Sequence, residues 1–161
     1  MSLNPNAKIM WHMTWAYQSG SAKLKSAGYQ NDQMYMYNAI LDTVNSEVLT
    51  KSEIAGVIPS GTAIQNLRTS YIGDNLTRDG YHMSYGIGRY TVGLTWLVKL
   101  TGASVKDLTW VPTKYPDAVT DPEAVTKEVE DNLGAIKEAV MNAIQTPFSV
   151  TEAVNYKPSE H

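Results

Sequence analysis

Asp79 and His82 stand three residues apart in Thr77-Arg78-Asp79-Gly80-Tyr81-His82-Met83-Ser84, just ahead of a predicted helix. A carboxylate at that spacing can accept the imidazole N–H, fix the ring's tautomer and leave the second nitrogen to take a proton from a nucleophile. That is the base half of a hydrolytic triad. The chain has only three histidines, which narrows the choice of a general base, and terminal His161 is given no chemical role. The plainer reading of the same pair is a turn aspartate and a surface histidine ahead of a helix cap.

Other candidates gather near the ends of two predicted strands, where open α/β sheets place their sites. His12 alternates with Trp11 and Met13 on the first strand and so points to one sheet face, either as a hydrogen-bonded structural histidine or as a site-lining one. Thr14, Trp15 and Tyr17 follow that strand; the two rings can stack on a sugar or acyl group, or simply pack. Ser60 follows the second strand, but Val57-Ile58-Pro59-Ser60-Gly61 lacks the leading glycine of a nucleophile elbow. A serine there is more simply a helix N-cap, lining the site at most. Arg68 and Arg89 can pair with a carboxylate or face solvent. No cluster has metal-ligand spacing, and no metal or cofactor is expected.

The elements that must position these groups follow from pattern. Residues 7–13 and 54–58 read as short buried strands, with a polar connection over 14–28. Asn31 or Asp32 can cap a helix with apolar positions Met34, Tyr37, Leu41, Val44 and Val48. A short helix runs from Ser60 to about Thr69, and Asp79-Gly80 is a turn signal. A helix from Ser84 to Gly102 carries Gly86, Gly88 and Gly93, which suggest close backbone packing. After a proline-containing linker at 111–116, Asp121-Pro122 opens an amphipathic helix with the stripe Val125, Val129, Leu133, Ile136, Val140 and Ile144, ending before Pro147. A third strand at 108–111 is expected. The order is that of an α/β fold with parallel strands, and two or three strands make a small sheet for that class. Residues 1–110 form the α/β part; 111–161 form a linker, the long helix and a tail.

Composition narrows the function. The chain of 161 residues is one domain's length, 43% hydrophobic and 18% charged, as a globular protein is. Net charge is -3 without a Lys/Arg cluster, so nucleic acid is an unsuitable partner. No run is apolar enough to span a bilayer, and Met-Ser-Leu-Asn-Pro-Asn has neither the basic start nor the apolar centre of a signal peptide. With no cysteine there is no thiolate nucleophile, disulfide or Cys-based zinc site, and the compartment stays open. Ten tyrosines and four tryptophans against one phenylalanine suit wet, ligand-facing surfaces.

Asp79-Gly80-Tyr81-His82 before a serine-initiated helix resembles the last conserved block of the SGNH (GDSL-like) hydrolases, whose Asp-x-x-His supplies two triad members. The ordered set is more specific: Thr14-Trp15-Ala16-Tyr17, then Ile58-Pro59-Ser60-Gly61-Thr62-Ala63-Ile64-Gln65-Asn66, then Leu76-Thr77-Arg78-Asp79-Gly80-Tyr81-His82, then Gly88-Arg89-Tyr90 and 96–102. Over about residues 7–102 it resembles an uncharacterised SGNH-like family often found with carbohydrate-active enzymes. The resemblance implies an SGNH-hydrolase-like, flavodoxin-like three-layer fold and a serine esterase acting on a small ester or acylated carbohydrate. It implies that Asp79 orients His82 and that His82 is general base and acid. That family's nucleophilic serine and its oxyanion-hole glycine and asparagine lie in blocks upstream of the part matched here. The expectation is therefore a C-terminal portion, nearly silent alone, whose bare sheet edge invites a homo-oligomer. Full-length relatives of this kind are expected to be secreted or periplasmic. A non-catalytic α/β module for ligand binding or assembly is the alternative.

Overall fold

The computed structural model describes Asn4 and residues 6–159; His161 lies outside them. Strand β1 (Ile9–His12) and strand β2 (Ile54–Ile58) pair in parallel, with Trp11 opposite Val57, His12 opposite Ile58 and an irregularity between Ile9 and Met10. The pairing continues past the strands, where Met13 N–H donates to the Ile58 carbonyl (3.0 Å) and Gly61 N–H to the Met13 carbonyl (3.0 Å). Gly61 is required by this approach: a Cβ there would run into the Thr14 carbonyl.

Five α-helices accompany the pair among the described residues. Helix α1 (Ala22–Ser26) lies inside the connection read as a loop, capped by Ser21 Oγ accepting from Leu24 N–H (3.1 Å). Helix α2 (Gln33–Thr43) is capped by Asp32 and continues into a π-helical turn, Val44–Val48. Helix α3 (Ser60–Arg68) follows β2 directly, and helices α4 (Ile87–Thr101) and α5 (Pro122–Gln145) come after it. Asp121 caps α5 through the Ala124 N–H (2.9 Å), and Gly102 ends α4 in the left-handed region at φ 68°.

The main core lies where α3, α4 and α5 meet, around Ile64, Leu67, Leu94, Val129, Ile136 and Val140. Of the expected stripe on α5, Val129, Ile136 and Val140 are fully buried, while Ala135, Ala139 and Ala143 share the centre of the contact. Small residues there let the helices approach closely. A second cluster under the sheet joins Met13 and Val57 to Val44 and Val48. On α2 the buried face is Met36 and Tyr37; Met34 is 40% exposed at its edge.

Three local expectations are corrected. No strand forms at 108–111, because the Trp110 carbonyl accepts from Tyr90 Oη (2.6 Å) instead of from a neighbouring strand. Ser60 is not a cap: Pro59 holds that position and no side chain caps α3. The regular turns of α4 begin at Ile87, yet Ser84 serves its start, its Oγ accepting from Gly88 N–H (3.0 Å). Gly86 and Gly88 do sit where a Cβ would strike Glu128 and the Leu76 carbonyl, whereas Gly93 faces open space.

Candidate active site at the Asp79–His82 loop

The loop is a small closed structure. Thr77 and Met83 form an isolated antiparallel bridge, and Arg78 N–H donates to the His82 carbonyl (2.9 Å). Between them Gly80 turns at φ 91°, a left-handed conformation that favours glycine. Asp79 Oδ1 accepts from the backbone N–H of His82 (2.8 Å) and of Tyr81 (3.3 Å), the Asx arrangement in which a side chain stands in for backbone. Its other oxygen, Oδ2, lies 2.6 Å from His82 Nδ1. That hydrogen bond is the main reason the Asp79 carboxyl is held down at about 2, with the two backbone N–H bonds helping. An ionised acceptor fixes the Nδ1–H tautomer and leaves Nε2 as the basic nitrogen. Nε2 makes no hydrogen bond among the described residues.

The strand-following segment clamps this loop in place. Trp15 Nε1 donates to the Tyr81 carbonyl (2.7 Å), Gln18 N–H donates to the Gly80 carbonyl (2.8 Å), and Thr77 Oγ1 bonds Gln18 Oε1. The Tyr81 ring lies against His82 with centroids 3.8 Å apart, and Tyr17 meets Tyr81 edge-on at 5.7 Å. His82 opens onto a cleft of about 200 Å³ lined by Trp15, Arg78, Met83, Arg89 and Val92. Its side chain is 47% exposed, so the base is reachable from solvent. Two of the cleft's cations share one ring, Tyr85, with Arg78 at 4.8 Å and Arg89 at 4.5 Å from its centroid.

The other candidates are placed as follows. Trp15 lines the cleft and Tyr17 stands one ring behind it. Thr14 is exposed beside Gly61. His12 packs edge-on against Trp96 (5.1 Å) and near Trp15 (6.2 Å); its Nε2 is enclosed without a partner, and burial lowers its pKa. Ser60 is fully buried and its Oγ has no partner. Among the described residues no group of three or more His, Cys, Asp or Glu is arranged to hold a metal, and no helix is long and apolar enough to cross a membrane.

Residues 1–128 match the family described as a domain of unknown function, DUF4886. The chain belongs to the DUF4886 family. It is also similar to the crystal structure of a DUF4886 family protein from Bacteroides uniformis ATCC 8492, with 36% sequence identity and a TM-score of 0.77 over 96% of this chain. The match spans about half of that protein, 54% of its length. No curated protein matches.

Three residues of this DUF4886 site escaped the sequence reading: Arg78 and Tyr85, and Arg89 as part of the cleft. The signal was present, since Tyr85 and Arg89 are four apart and Arg89 and Val92 three apart, one face of a helix start. Of the two readings of Arg68, the carboxylate pair holds: the side chain is buried with its Nε 2.7 Å from Asp74 Oδ1.

Proposed function

We propose that Asp79 and His82 are the orienting acid and general base of an SGNH-like serine esterase, with the nucleophilic serine supplied from outside the 1–161 segment. The observation that carries this reading is the 2.6 Å contact between Asp79 Oδ2 and His82 Nδ1, with Nε2 left unbonded on an open cleft. In the reaction the serine hydroxyl attacks the ester carbonyl while Nε2 takes its proton, and the resulting imidazolium returns that proton to the leaving alkoxide. Water then repeats the sequence on the acyl-enzyme. The ionised Asp79 stabilises the imidazolium in both halves. Trp15, Met83 and Val92 offer the cleft an apolar wall for an acyl group, and Arg78 and Arg89 lie beside it. A small ester or acylated carbohydrate is the substrate class this reading carries.

The natural full-length gene product tests the reading. It is expected to hydrolyse p-nitrophenyl acetate and to take one fluorophosphonate label on a serine. Neither turnover nor labelling in the folded full-length protein would sink it.

A second reading, an assembly module without chemistry, is supported by the unpaired side of β1. Among the described residues β1 has one neighbour, with Ile9 54% and Trp11 43% exposed on it, and such edges recruit further strands. On this reading the chain self-associates in sedimentation velocity and Trp11→Lys returns it to monomer. A monomer at every concentration argues against it.

A further inference from the structure

A second cavity, of about 400 Å³, lies between α4 and the irregular 108–116 segment, a volume in the range of small-ligand sites. We propose that it binds a small aromatic carboxylate. The proposal goes beyond the esterase reading and stands without it.

The walls specify the apolar part of the ligand. Tyr90 and Trp110, both lining the cavity, stack with ring planes 28° apart and centroids at 6.3 Å. Trp110 is 66% exposed, an unusually wet position for the largest side chain, and Leu97 near it is 44% exposed. On the helix side Gly93 presents bare backbone: a Cβ there would meet nothing within 4 Å. A planar ring system can therefore lie against α4 and face Trp110.

The polar groups specify the rest. The Tyr90 hydroxyl is committed to the Trp110 carbonyl (2.6 Å), and the Tyr115 hydroxyl to the Pro112 carbonyl (2.9 Å). Both residues thus offer ring surface while their hydroxyls hold the 108–116 segment. The lining contains no Asp, Glu, Asn or Gln, the side chains that would accept hydrogen bonds from a sugar's hydroxyls. Its charged members are Arg89 and Lys114, both exposed. Two cations without a neighbouring carboxylate ask for an anion, and a guanidinium suits a carboxylate. Arg89 also lines the His82 cleft, so the anionic end of the ligand points toward that cleft.

Calorimetry with 2-naphthoate, the neutral isostere 2-naphthamide, octanoate and methyl glucoside tests this on the chain. Expected is saturable binding of 2-naphthoate, at least about tenfold tighter than 2-naphthamide, with octanoate weaker and no signal from methyl glucoside. Arg89→Gln brings 2-naphthoate down to the amide's level. Gly93→Leu puts a side chain into the cavity at a helical position that leucine favours, so binding is lost while Tm is unchanged or raised. Equal affinity for acid and amide, tighter octanoate, binding that persists in Gly93→Leu, or no binding of 2-naphthoate at all overturns the proposal.

Discussion

His82→Ala in the natural full-length protein is expected to lower kcat/KM for p-nitrophenyl acetate about 10⁴-fold or more, and Asp79→Asn to come close to it. The asparagine variant is the sharper of the two. Its Oδ1 still accepts from the Tyr81 and His82 N–H groups, so the turn survives. At the other terminus an amide NH₂ now faces Nδ1, which must become the acceptor. The ring proton moves to Nε2, and the base is lost with its position intact. Imidazole ¹⁵N spectra are expected to show the Nδ1–H tautomer in the wild type and the Nε2–H tautomer in Asp79→Asn. The sign of the pH effect follows from the same bond. Asp79 is held at about 2, below its ordinary 3.8, so its ionised contacts are fully in place above the ordinary value and are lost as pH falls through about 2. Any loss of activity well above pH 3.8 is therefore not a titration of Asp79, and His82→Ala returns the Asp79 titration toward its ordinary value. Full activity in both variants would remove the pair from the chemistry.

What the sequence disclosed was the local part of this arrangement. Asp79 and His82 meet within a single turn, a contact that their spacing permits. The caps Asp32 and Asp121, the terminator Gly102 and the strand Ile54–Ile58 were legible for the same reason, since each is settled by neighbours along the chain. What holds the loop was not legible. The Trp15 indole reaches the Tyr81 carbonyl across 66 residues, and a side-chain-to-backbone bond over that distance leaves no period to read. The missing strand at 108–111 failed similarly: its apolar pattern is real, but the Tyr90 hydroxyl took the carbonyl a ladder would have used. Ser60 had the right residue type for a cap and lost the position to Pro59. Membership of the DUF4886 family is shown over residues 1–128.

Arg68→Ala is the largest stability loss expected, about 3 kcal/mol, or a fall in Tm of roughly 6 to 12 °C for a chain of this size. The side chain is 4% exposed. Burial lowers its pKa and the Asp74 carboxylate opposes that shift, so the guanidinium stays charged where it sits. It uses the whole fork: Nε to Asp74 (2.7 Å), one terminal nitrogen to Gln65 Oε1 (2.9 Å) and the other to the Ala16 carbonyl (2.9 Å). Truncation strands all three partners. Asp74 is partly compensated, being 27% exposed and accepting also from Ser19 N–H (2.7 Å) and Gln33 Nε2 (2.9 Å), which keeps the figure at the low end for a broken buried pair. Arg68→Lys should fall between, since one ammonium cannot span three acceptors in different directions. The loss reaches the site because Ala16 lies between Trp15 and Tyr17, in the segment that clamps the Asp79 loop through the Tyr81 and Gly80 carbonyls. Arg68 is thus a positioning residue, and its variants are expected to weaken the Trp15 bond and widen the His82 cleft without altering the Asp79–His82 contact, which lies within one turn. Lys127→Ala, which breaks an exposed pair one helical turn apart on α5, is the control and should leave Tm essentially unchanged. An Arg68→Ala chain as stable as that control would show that the fork is solvent-compensated and that something else holds the 14–18 segment against α3.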